Sequence, residues 1–139
     1  MSPRHFAAYA FCAGLASAAF AESVGPDAFE TMSEGRTLHF TLDGEPYGAE
    51  QYFSDRRALW RHADGTCSWG RWYPRDGLIC FEYEAGAEED QEPQCWTFEG
   101  GATGFSAALI KDGAPTGLTL DLDRTDTAPL DCPGPGVGS

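Results

Sequence analysis

Two of the three histidines, four well-separated cysteines of the five and the stretch Ser68-Trp69-Gly70-Arg71-Trp72-Tyr73 hold most of the side-chain chemistry of this chain. A histidine works as a general base only with a partner in reach. His39 and His62 stand 23 residues apart, each inside an alternating apolar and polar run. They therefore cannot form the i, i+4 pair that grips a metal from one helix. Ser106 lies in Gly104-Phe105-Ser106-Ala107-Ala108, which lacks the closing glycine of a nucleophile elbow and reads as a strand rather than a strand-to-helix turn. Asp121, Asp123 and Asp126 are spaced closely enough to suggest calcium. Their segment nevertheless has neither the glycine nor the distal glutamate of an EF-hand loop, and Arg124 weakens its negative potential. No catalytic residue, metal or cofactor is expected.

Recognition is the more promising chemistry. Arg56, Arg57, Arg61, Arg71 and Arg75 fall within one short stretch, and Glu82, Glu84, Glu88, Glu89, Asp90 and Glu92 follow. Neighbouring strands can pair such charges across a solvated face, each contact contributing on the order of a few tenths of a kcal/mol. Alternatively, the arginines form a patch that receives an anion. Trp, Tyr and Arg dominate binding hot spots, so Trp69, Arg71, Tyr73 and Arg57 are the expected binding residues.

The elements that position these residues are strands. Leu38, Phe40 and Leu42 alternate with Thr37, His39 and Thr41, and Ala58, Trp60 and His62 alternate with Leu59 and Arg61. Further extended runs cover 52–53, 66–73, 78–84, 94–99, 105–110 and 118–122, separated by Asp-Gly or Gly-rich turns. About eight short strands predict an all-β antiparallel meander, either a curved sheet or a small barrel. Ahead of it, residues 26–34 predict a short helix, with Pro26 in the first turn and Gly35 as the stop. Phe29 and Met32 share a face of that helix, suited to covering one end of a sheet. Trp72, Ile79, Phe81 and Tyr83 are expected on one apolar side, with Trp69, Arg71, Cys80 and Glu82 on the other. Residues 22–123 form the expected domain, and 124–139, rich in Pro and Gly, an irregular or mobile tail.

Cys67, Cys80, Cys95 and Cys132 are separated by 13, 15 and 37 residues, which suits disulfides better than the close pairs of a zinc site. Residues 73–78 predict a four-residue hairpin loop, placing Arg71 opposite Cys80 and Cys67 opposite Glu84. Cys67 and Cys80 are then about 13 Å apart along the strands, beyond the ~7 Å Cα limit for a bridge. The expected bridges are Cys80–Cys95, across the next hairpin, and Cys67–Cys132, which fastens the tail.

Arg4, the apolar stretch 6–20 and Ala19-Phe20-Ala21 read as a secretory signal peptide ending at Ala21. The stretch is shorter than the roughly 20 residues that span a bilayer, and Phe11 before Cys12 argues against lipidation. Without Arg4 the formal charge falls from −13 to −14. Nucleic acid and anionic lipid surfaces repel such a chain, so no nucleic-acid partner and no stable membrane insertion are expected.

Gly65-Thr66-Cys67, Gly70-Arg71-Trp72-Tyr73, Ile79-Cys80-Phe81-x-Tyr83-Glu84 and Gln94-Cys95-Trp96-x-Phe98 together resemble short exported bacterial proteins of a domain-of-unknown-function family. Gly35-Arg36-Thr37-Leu38 and residues 55–60 extend the likeness, which covers roughly residues 28–100. The resemblance implies a periplasmic or secreted setting and brings no catalytic residue with it. The expected function is non-enzymatic binding of a small ligand or envelope protein through the aromatic and arginine face. The alternative is inhibition of an exported hydrolase by the acidic loop 88–92.

Overall fold

Asp43-Gly44, Asp76-Gly77 and Asp112-Gly113 each have both residues at positive φ, between 51° and 83°. Such a type I′ turn twists in the same sense as its flanking strands and closes a hairpin with two residues. Leu42 accordingly pairs with Glu45, Arg75 with Leu78, and Lys111 with Ala114. The computed structural model describes residues 14–15, 22–84, 92–101 and 104–135. Most of the expected signal segment, including its cleavage motif, and acidic-loop residues 88–91 lie outside the described residues.

In chain order the elements are β1 (Glu22–Ser23), α1 (Pro26–Ser33), β2 (Thr37–Leu42), β3 (Glu45–Tyr52), a 3-10 turn (Ser54–Arg56), β4 (Arg57–His62), β5 (Cys67–Arg75), β6 (Leu78–Tyr83), β7 (Gln94–Gly101), β8 (Gly104–Lys111) and β9 (Ala114–Asp126). Strands β2 to β9 each pair antiparallel with the next. The long β9 then pairs its C-terminal part with β2, closing an eight-stranded barrel. Closure removes the exposed strand edges of an open sheet. β6 pairs with β7 only from Ile79 to Phe81, and β1 pairs further along at Glu99 and Gly100.

The β5–β6 register differs from the four-residue loop expected from sequence. Tyr73 faces Cys80 and Arg71 faces Glu82, a shift of two residues, because the turn needs only Asp76 and Gly77. A shift of two preserves which face each side chain occupies. Trp72 and Phe81 therefore still point inward. Pro74 falls inside β5, opposite Ile79 in the non-hydrogen-bonded alternation, so its missing N–H faces away from β6. On that other side the pairing with β4 ends at Arg71, so proline removes no ladder bond.

α1 plugs one end of the barrel. Phe29 is fully buried, its ring edge-on to Tyr52 at 5.4 Å and to Trp72 at 5.0 Å, and 4.6 Å from Phe98. Met32 packs against the same cluster. Gly35 at φ +75° ends the helix, and its N–H bonds the carbonyl of Tyr52 at 3.0 Å.

Both expected disulfides are present. Cys80 and Cys95 sit opposite each other on β6 and β7 with Cα atoms 4.0 Å apart, and Cys67 and Cys132 are joined with Cα atoms 6.0 Å apart. The strand conformation of β9 continues to Asp126, beyond the expected domain end at 123. After it, residues 127–135 form no helix or strand and are held at more points than Cys132 alone. Thr37 Oγ1 donates to the Ala128 carbonyl at 2.8 Å, the Leu130 N–H to Gln51 Oε1 at 2.9 Å, and Trp69 Nε1 to the Pro133 carbonyl at 2.7 Å. The tail is thus a strap over the outer wall of β2 to β5. Among the described residues no helix is long and apolar enough to cross a membrane. The two disulfides fit an oxidising compartment.

Candidate functional site

Strand alternation turns Gly48, Glu50 and Tyr52 of β3 toward the barrel axis. Glu50 lies opposite Leu38 on one side and Trp60 on the other, so an acid occupies a position surrounded by apolar side chains. It is only 2% exposed. Its partner is Tyr83, whose hydroxyl lies 3.1 Å from each carboxylate oxygen. Burial pushes the Glu50 carboxyl well above its usual range, and the Tyr83 hydrogen bond opposes that rise. The phenols of Tyr83 and Tyr52 are raised too, first by burial and then by the Glu50 charge. Burial thus favours the uncharged form of all three groups.

A cavity of about 180 Å³ opens beside this trio. Its apolar walls include Phe40, Trp60, Phe81 and Trp96, while Tyr47, Ser68, His62 and Gln94 contribute polar atoms. Glu50 and His62 are its ionisable lining groups besides the tyrosines, and neither lysine nor arginine lines it. Tyr47 and His62 occupy the ends of β3 and β4 remote from the α1 plug. Trp60 Nε1 donates to His62 Nδ1 at 3.0 Å, which requires His62 to carry its proton on Nε2. Among the described residues no hydrogen bond joins His62 to Ser68, and no group of three or more His, Cys, Asp or Glu is placed to hold a metal.

Two strand glycines make room for the cavity's aromatic rings. A Cβ at Gly48 would fall 2.2 Å from the Trp60 ring. At Gly70 it would fall 2.2 Å from the Glu82 carbonyl oxygen and 2.9 Å from the Tyr83 ring. Only glycine leaves room for these rings to approach the neighbouring strand so closely.

The residues singled out for binding occupy the outside of the same wall. Trp69 stacks on Phe53 with ring centroids 5.3 Å apart, and the Arg57 guanidinium stands 5.4 Å from the Trp69 ring. With its indole N–H bonded to Pro133, Trp69 is held under the strap. Arg71, opposite Arg57, projects into solvent with 71% of its side chain exposed and meets Glu82 at 3.7 Å. Tyr73 follows on the same outer face, opposite Cys80. Arg57 and Trp69 thus form one cluster, while Arg71 and Tyr73 lie beside it. His39 also faces outward, 3.0 Å from Asp126, and Asp123 and Asp126 meet Arg124 at 3.4 and 3.7 Å.

Glu50, Trp60 and Tyr83 were not singled out as site residues from the sequence, although one signal was available. In Gly48-Ala49-Glu50-Gln51-Tyr52 the acid shares its alternation phase with Tyr52, so an apolar face carries one carboxylate.

Comparison of the chain with protein-family models, curated proteins and solved structures returns no match.

Proposed function

We propose that this protein is a non-enzymatic binding domain of the periplasm or extracellular space that holds a small molecule inside its barrel. The observation that carries this reading is the aromatic cavity of about 180 Å³ with a buried carboxyl in its wall. Barrel interiors are common ligand sites. An apolar cavity of about 150 Å³ is enough for a molecule the size of benzene. The reading moves the expected ligand from the outer Arg57 and Trp69 face, which the strap already engages, to the inner face of the same strands.

The test is saturation-transfer NMR with a panel of small cyclic and branched compounds, using the wild-type protein and Ala107→Leu. Ala107 is buried in the cavity wall, so a leucine there occupies ligand space. Members of the panel should bind the wild type, and Ala107→Leu should lose them while keeping its far-UV circular dichroism. Equal binding by both proteins, or none by either, would overturn the reading.

A further inference from the structure

The geometry points to a small organic ammonium ion as the ligand class, seated between the Trp60 ring and the Glu50 carboxylate of the barrel cavity. This rests on the proposal that the cavity is a ligand site and adds the charge of what it takes.

Three independent features favour a cation. First, the lining contains a carboxyl group and no lysine or arginine, so an anion entering the cavity would find no positive partner there. Second, the surrounding rings suit an alkylated ammonium. Trp60 has Tyr47 at 6.0 Å and Phe40 at 6.5 Å between ring centroids, and Glu50 is its direct cross-strand neighbour. Aromatic faces attract ammonium groups through the ring quadrupole, most strongly once water is excluded. Third, the formal charge of −13 draws cations toward the molecule before any contact forms.

The acid supplies a proton linkage. Burial favours neutral Glu50 in the empty cavity. Tyr83 on β6, Tyr47 and Tyr52 on β3 and His62 on β4 are the titratable groups that line the cavity with it, and the lining residues of the other strands are uncharged. An ammonium beside the carboxyl would favour its ionised form. Where the free Glu50 holds its proton, cation binding then releases that proton to solvent. Cation affinity should accordingly rise with pH until the free Glu50 is itself ionised, and then level off.

The deciding experiment is calorimetric titration with choline and with its uncharged isostere 3,3-dimethylbutan-1-ol, at about pH 6 in two buffers of different ionisation enthalpy. The wild type should prefer choline by about tenfold or more, and its choline enthalpy should differ between buffers by the amount that reports proton release. Glu50→Gln should lose most of that preference, keeping only what the rings supply, and should show no buffer dependence. Equal or tighter binding of the neutral alcohol by the wild type would overturn the cation inference and leave the cavity site standing. Binding of neither compound would overturn the cation inference. If the NMR panel also failed, the cavity reading would fall with it.

Discussion

At the scale of single residues, the most consequential group is Glu50, because burial makes its ionisation costly and the Tyr83 hydrogen bond offsets that cost only in part. The folded chain holds the Glu50 proton to a higher pH than the unfolded chain does. Below the unfolded carboxyl pKa both states are protonated and the group contributes no pH dependence. As pH rises past that value, the unfolded state releases its proton first, so stability falls until the folded group ionises as well. Glu50→Gln removes this loss while still accepting the Tyr83 hydrogen bond. We expect its melting temperature to exceed the wild type's by on the order of 5 °C near pH 8 and by almost nothing near pH 4. A constant difference across pH, followed by scanning calorimetry, would contradict the account. Gly70 gives a second prediction. The contact its Cβ would make is with the backbone oxygen of Glu82, which cannot rotate away. Gly70→Ala should cost roughly 3 kcal/mol or more in urea denaturation, and a cost below about 1 kcal/mol would show that β5 and β6 can separate.

At the scale of elements, turn chemistry and alternation decide how much the sequence reveals. Asp-Gly pairs mark three hairpins, and the alternation of β2 and β4 groups Leu38 with Phe40 and Ala58 with Trp60, residues that the closed barrel turns inward. Sequence alone makes the 73–78 loop two residues too long, because Pro74 looks like a turn residue. Its compatibility with β5 depends on β4 having already ended, which is a tertiary fact. The strap has a similar origin. Its hydrogen bonds join residues 128, 130 and 133 to strands 64 to 91 positions earlier, and no local pattern encodes such contacts. The strap yields its own prediction. Replacing Cys67 and Cys132 together by serine opens a 65-residue loop, which the chain-entropy model values at about 4 kcal/mol. The variant should be less stable and its Trp69 emission should shift to the red, while ligands of the cavity bind as before. Loss of ligand binding in the folded variant would mean that the strap shapes the cavity.

At the scale of the whole molecule, closure and plugging turn eight short strands into a container. An open sheet or a closed barrel was equally compatible with the strand count, because only the pairing of Thr37 to Thr41 with the second half of β9 distinguishes them. That pairing puts residues nearly ninety positions apart side by side, and the sequence carries no short-range sign of it. α1 then seals one end through Phe29. Phe29→Ala should cost about 3–5 kcal/mol in chemical denaturation, and a loss below about 1 kcal/mol would show that the plug is not part of the core. The candidate site is legible only at this scale, since Phe40, Glu50, Trp60, Phe81 and Trp96 come from five different strands and meet only when the barrel closes. Together these strands enclose a hollow the size of a small guest. The most direct measurement is the crystal structure of the protein under xenon pressure. A xenon peak should lie inside the barrel, bounded by Trp60, Phe81 and Trp96. A barrel whose side chains meet across the axis, with no xenon between them, would contradict it.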